Sequence, residues 1–379
     1  MVVPDPRRGH PVALYGRAAG RWERVVYRDS VAAGTLFAAG AVLPVVGAGL
    51  LVRGAPATAA ATWAALGGSM LCREAERVAD ALEGGDLERA RELLPNLCGR
   101  DPSGLDAAGI ARAVVESVAE NTSDAVVGPL VWGALGGVAG VAGFRAVNTL
   151  DAMVGHRNAR YGRFGAASAR LDDVAGWGPA RLTAVLAVLA APLVGGGVRE
   201  AWRVWRRDGD RHPSPNAGQC EAAFAGALGR TLGGANVYAG REDRRPTMGD
   251  GPAPGVEDIR RAVRLAKAVG VGALTVAAAA AAATDPPPTI HSSSRSPRSA
   301  RLRPLAPRPG CSAVVGRPGT ERWRTTDSAG RSSPGSPLWR GGPSSRPAER
   351  TARRRGRLGS TPWVTWWSTA STPAPCGDC

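Results

Sequence analysis

The chain has 379 residues and a formal net charge of +16, but the charge is unevenly placed. Residues 1–284 carry 32 Arg and Lys against 27 Asp and Glu, whereas residues 285–379 carry 16 against 5. Six cysteines with one terminal CxxC, "CGDC", form no disulfide framework and no zinc pattern, so a reducing compartment is the default. The single lysine among 48 basic residues, Lys267, excludes a GxxxxGK[ST] phosphate loop. No GxGxxG follows a strand-like run, and the four scattered histidines make no HExxH.

In chain order, Val31 to Val52 is the first long run without a charge, and a second runs from Gly54 to Cys72. Together they predict a transmembrane hairpin. Arg7, Arg8, Arg17, Arg21, Arg24 and Arg28 precede or flank the first run, which puts the N-terminus in the cytoplasm by the positive-inside rule. Some thirty residues precede the run, too many for the basic leader of a signal peptide.

Residues 73–124 read as a soluble helical insertion: "REAERVADALEGG", "DLERARELLPN" and "DAAGIARAVVESVAEN", each opened or closed by Asp or Gly. In the third, Ile110, Val114 and Val118 form one stripe and Arg112, Glu116, Glu120 and Asp124 lie roughly opposite. The plain reading of the acidic stripe is a solvated helix face.

Three weaker apolar runs follow, at 125–144, 182–198 and 268–283. The first contains Pro129 and six glycines, which suits close helix packing or a broken, re-entrant segment. Between the first two, residues 145–181 read as a polar loop holding Asn148, Asp151, His156, Arg157, Asn158, Arg160, Tyr161, Arg163, Arg170, Asp172, Asp173 and Arg181. Polar groups this dense beside a membrane mark a site or a headgroup contact. Asp172 and Asp173 suit an oxygen ligand to Mg²⁺, or equally a helix cap after Leu171.

The third island, "HPSPNAGQCEAAFAGALG" (212–229), sets two proline-fixed residues before Asn216 and Gly218. A helix over 217–228 would aim its first N–H groups at the turn, a geometry suited to an anion or to an ordinary structured loop. Beyond Thr284 the chain is rich in Pro, Ser, Gly, Arg and Trp with no hydrophobic period, and reads as a disordered tail. The domains expected are therefore a membrane domain at 1–284 and a basic low-complexity tail at 285–379. The fold class expected is all-α, a polytopic integral membrane protein with amphipathic helices and polar loops between apolar segments.

The segments "DPRRGHPVALYGR" (5–17), "GRDPSGLDAAGIARAVVESVAENTSDAVVGPLVW" (99–132), "RAVNTLDAMVGHRNARYGRFGAASARLDDVAGWGPARLTA" (145–184), "HPSPNAGQCEAAFAGALGRTLGG" (212–234) and "RPTMGD" (245–250) stand in one order. In that order they resemble the CobD/CbiB family of cobalamin-biosynthesis membrane proteins, the adenosylcobinamide-phosphate synthases. The resemblance implies a cell-membrane ligase that joins aminopropanol, free or phosphorylated, by an amide to a carboxylate of adenosylcobyric acid, with ATP and Mg²⁺. Membrane lipid and other corrinoid-assembly membrane proteins are the partners it implies, and no nucleic acid.

That chemistry needs acids for metal and proton transfer and cations for phosphate. The candidates are Glu116, Glu120, Asp172 and Asp173 as catalytic groups and Glu120, Asp124 and Asp173 as metal ligands. Arg157, Arg170 and Arg181 would hold phosphate or corrin carboxylates, and Asn121, Asn148, Asp151, Asn158, His212 and Asn216 would orient substrates. A corrinoid carrier without ligase activity is the alternative from another class.

Two features depart from the family pattern. Members generally carry an apolar segment before "DPRRGHPV", so a late start or a lost helix is expected. The tail resembles nothing in the family and is read as an out-of-frame product of GC-rich DNA, leaving an inactive protein as a further reading. A genuine basic tail contacting anionic lipid or RNA is the alternative.

Overall fold

In the computed structural model, described for residues 11–284 except Arg157, Ala239 and Gly240, the chain is a bundle of helices with one β-hairpin. The tail, the first ten residues and Arg157 lie outside the described residues, as do the expectations placed on them.

Helix α1 (Pro11–Val26) is amphipathic and packs on α2 (Val31–Leu51), where the Trp22 indole N–H donates to Phe37 O at 3.3 Å. Ser30 caps α2 by accepting from the Ala33 N–H. A ring cluster of Phe37, Phe164, Tyr27 and Tyr161 fastens α2 to the turn that ends at Gly165, and Arg160 closes it over Tyr27 while bonding Glu23 at 3.1 Å.

The second apolar run is not one span. It breaks at Leu66–Gly67 into α3 (Ala55–Ala65), too short to cross, and α4 (Gly68–Glu83). The Gly67 N–H leaves the helical ladder to donate to Ala125 O at 2.9 Å, so the chain bends where it meets the acidic segment.

After α5 (Leu87–Leu93), α6 (Ala107–Thr122) starts at an Asp106 cap and widens into a π-turn over Ser123–Val127. Such turns re-aim side chains within a continuous helix, and this one carries Asp124. The insertion is not a free-standing soluble module, because Ile110, Val114 and Val118 join the main core and Glu116 on the other face is also buried.

Helix α7 (Gly128–Val154) contains the third apolar run and reverses at Gly137, with φ 55° and ψ −143°. The two limbs then lie side by side: a Cβ at Gly140 would meet Trp132 O at 2.2 Å, and one at Gly133 would meet Val141 at 3.2 Å. The run is thus a broken helix that doubles back on itself, and its glycines also allow the close packing expected of it. Backbone of this kind is nearly confined to glycine, with strain of about 1–3 kcal/mol for other residues. Gly137→Val should therefore lower the thermal midpoint in detergent, whereas Gly136→Ala beside it should not. Equal midpoints for the two variants would refute the assignment of the bend to Gly137.

The polar segment 145–181 is no loop. Its first part is the end of α7 and its last part the start of α8 (Ala166–Ala190), with only a short turn between. Because α8 starts after Gly165, Asp172 and Asp173 lie inside the helix and cap nothing. The fourth apolar run is likewise the second half of α8 with the turn Ala191–Val194.

Helix α9 (Val198–Asp208) covers α10 (Ala217–Leu228), which is buried throughout. The pair β1 (Leu232–Tyr238) and β2 (Arg241–Met248) is antiparallel, a departure from an all-helical chain. The last helix, α11 (Val256–Thr284), extends the polyalanine run backwards by a charged half.

Among the described residues, four stretches are long and apolar enough to cross a membrane: Val31–Leu51, Ala107–Val154, Ala166–Val194 and Val256–Ala283. The reversal at Gly137 divides the second of them. Exposed Leu43, Leu50, Leu51, Leu135, Leu189 and Leu274 suit an apolar solvent.

Candidate functional site

Asn148 joins two of the polar islands, the acidic segment ending in the π-turn and the polar segment 145–181. Its Nδ2 donates to Asp124 Oδ2 at 3.3 Å and to Asp172 Oδ1 at 3.1 Å, joining α7, the π-turn and α8. The buried Arg145 guanidinium, one helical turn earlier, donates to Asn148 Oδ1 at 3.3 Å and to Asp124 O at 3.3 Å. It thereby fixes which end of the amide faces the acids, leaving Nδ2 for the two carboxylates. Asp151, Asp173 and Glu120 lie within electrostatic reach of this pair, so five acids from three helices share one region.

The third island closes one side. Asn216 Nδ2 donates to Asp173 O at 2.9 Å, and Arg181 reaches Asn216 Oδ1 at 3.4 Å while its guanidinium covers the Trp177 ring at 4.4 Å. Helix α10 runs over the predicted 217–228, but its first donors are partly used, since Ser214 Oγ accepts from the N–H groups of Asn216 and Ala217. His212 is buried, with Nδ1 accepting from Ser214 N–H at 3.0 Å and Nε2 facing Arg245 at 3.1 Å.

Glu116 does not sit on a solvated face. One carboxylate oxygen accepts from the buried Arg100 guanidinium, and the other accepts the Gly233 N–H at 2.7 Å. The β-hairpin exists at this point to deliver that donor: Gly233 has φ 83°, and a Cβ there would sit 2.2 Å from Pro246 O. Arg112 holds the same strand through Gly233 O at 2.8 Å. Glu120, one turn on, is exposed and faces the acid group.

Not every expected residue joins the centre. The Asn121 amide donates back to Ser117 O at 2.9 Å within its own helix. Asn158 Oδ1 accepts from the N–H groups of Arg160 and Tyr161, serving the turn before α8. Arg170 is exposed on α8, and Arg157 lies outside the described residues.

The residues not anticipated are Arg100, Arg145, Arg245 and Glu221. Glu221 is the one acid in the apolar run "CEAAFAGALG", and that isolation was the available signal. It is 1% exposed, and its Oε2 has no hydrogen-bond partner among the described residues. Burial, with the Glu116 and Glu120 charges behind it, pushes its carboxyl well above the usual carboxylate range.

The folded chain thus holds a proton that the unfolded chain releases above about pH 4.3. The associated stability is fully present below that pH and is lost as pH rises toward the folded-state value. Glu221→Gln removes this loss, so the variant's thermal midpoint should gain on the parent's steadily from pH 5 to pH 8. A pH-independent difference would contradict the burial of an acid at this position.

Among the described residues no three His, Cys, Asp or Glu side chains converge to hold a metal ion unaided, so Glu120, Asp124 and Asp173 form no closed cage. Asp124 and Asp172, paired through Asn148, are nonetheless hard oxygen donors of the kind Mg²⁺ takes when phosphates and water complete its shell.

The family described as CobD/Cbib protein matches residues 1–266. A cobalamin biosynthesis protein CobD of Mycobacterium tuberculosis is 54% identical over 285 residues, covering 73% of this chain and 91% of that protein. The CobD protein of Geobacter metallireducens is 46% identical over 264 residues, covering 66% and 83%, and that of Chromobacterium violaceum 40% over 289, covering 70% and 88%. No solved structure matches. The chain belongs to the CobD/CbiB family of cobalamin biosynthesis proteins.

Proposed function

We propose that this member of the CobD/CbiB family attaches aminopropanol, or its phosphate, through an amide to a carboxylate of adenosylcobyric acid at the expense of ATP. The observation that supports this most is the Asn148 amide shared by Asp124 and Asp172, which makes one acidic centre from segments far apart in sequence.

A carboxylate and an ammonium do not condense at neutral pH. The acyl carbon needs a leaving group and the nitrogen must lose a proton. ATP would supply a phosphoryl group as that leaving group, with Mg²⁺ offsetting the phosphate charge. Asp124 and Asp172 are the acids suited to the metal, since Asn148 already holds both in one orientation. Glu120, exposed at the end of α6, is the group placed to take the ammonium proton. Arg181, stacked on Trp177 and steadied by Asn216, would hold phosphate or a corrin carboxylate. Glu116, with both oxygens engaged, is a positioning residue.

The same reading places the chain in the cell membrane as a multi-pass protein with its arginine-rich N-terminus in the cytoplasm, where ATP is available. Corrin-handling membrane proteins are the partners that fit such a product.

The test is purified full-length protein given adenosylcobyric acid, aminopropanol phosphate, ATP and Mg²⁺. The reading expects adenosylcobinamide phosphate with one ADP per amide formed. Corrinoid binding without turnover would instead support a carrier. Complementation of a strain unable to make cobinamide, with and without residues 285–379, would show whether the tail matters.

A further inference from the structure

A cavity of about 410 Å³ opens between α4 and α11, and none of the five acids of the centre lines it. Ser69, Arg73 and Glu76 of α4, Val126 of the π-turn, and Lys267 and Gly270 of α11 line it. Its volume lies within the roughly 300–1,000 Å³ of small-ligand pockets and gives room for one polar headgroup.

Two features describe its occupant. Arg73 is exposed and has no hydrogen-bond or ion-pair partner among the described residues, while Lys267, the only lysine of the chain, shares its charge with Glu76 at 2.8 Å. The rim therefore carries a net positive charge. Below Lys267, the same face of α11 continues through Val271, Leu274 and Ala278, all exposed. Those positions follow Lys267 at helical spacing within Val256–Ala283, a helix long and apolar enough to cross a membrane. A cation above an uncovered apolar stripe has the polarity profile of one amphiphile, with an anionic head and a hydrocarbon tail.

We propose that this cavity holds the phosphate head of a single anionic phospholipid, whose acyl chains lie along the Val271–Leu274–Ala278 stripe of α11. The site is separate from the acidic centre and does not depend on the reaction assigned to it.

The full-length protein is exchanged into nanodiscs containing phosphatidylglycerol and phosphatidylcholine of the same chain length, extracted into mild detergent, and its retained lipid read by native mass spectrometry. Phosphatidylglycerol should be retained by about tenfold or more over phosphatidylcholine, taking about fivefold for each cation near the surface. The double variant Arg73→Ala, Lys267→Ala should lose that preference. Glu76→Gln should strengthen it, a direction that structural damage would not produce. Arg264→Ala, exposed on the same helix outside the cavity, should leave it unchanged.

Equal retention of the two lipids by the unmodified protein would overturn the proposal. An equal loss with Arg264→Ala would overturn it too, by showing diffuse attraction to the whole helix. Displacement of the lipid by inorganic phosphate alone would reassign the cavity to a soluble anion.

Discussion

Asn148→Ala should lower kcat/KM for amide formation by about 10- to 100-fold, the usual effect of removing a partner that orients metal-binding groups. Its Nδ2 donates to both Asp124 and Asp172, and the two carboxylates lie close enough to feel each other's charge. Without the shared donor they would separate, and a metal–nucleotide complex would meet two disordered acids. Asn148→Asp should be at least as damaging, since it adds a negative charge where a donor stood. The variant protein should retain its far-UV circular dichroism, because the Arg145 bond to Asp124 O does not pass through the side chain lost. Full activity in Asn148→Ala would remove the basis for treating Asp124 and Asp172 as one centre.

Glu116→Ala should be the most destabilising single change near the site, by about 3–5 kcal/mol, because it leaves the buried Arg100 guanidinium without its carboxylate. It also strips the Gly233 N–H of its acceptor, so the β-hairpin loses its hold on α6. Glu116→Gln keeps an acceptor for Gly233 but not the charge, and should fall between the two. Thermal midpoints in detergent read the series directly. A Glu116→Ala protein as stable as the parent, yet inactive, would return Glu116 to the catalytic group.

The helices were legible where one physical signal dominated. The uncharged run at 31–52 became α2 to within a residue, and 217–228 became α10, because a single helix in each case satisfied the pattern. Boundaries failed where a chain approach rather than composition decided them. The bend at Gly67 depends on Ala125, fifty-eight positions along, and no local pattern carries that contact. Gly137 was visible only as one glycine among six in its run, and its positive φ was not.

The site shows the same division. Asp124 stands out by its place on the acidic stripe with Glu116 and Glu120, and Asn148 and Asp172 by the density of polar groups beside apolar runs. Their convergence required the reversal of α7, which the sequence permitted as one of two readings. Glu116 was placed on the right stripe with the wrong surroundings, since Arg100 and Gly233 come from segments that no helical period connects. The hairpin that supplies Gly233 escaped notice because two glycines and a run of arginines lack the alternation that marks a half-buried strand.

The most direct test of a single centre is a double-mutant cycle on amide formation with Asp124→Asn and Asp172→Asn. If both acids serve one metal–nucleotide site through Asn148, the double variant should lose little more than the worse single variant, as groups acting as a unit do. Losses that multiply would mean that the two carboxylates act independently, and would contradict the account.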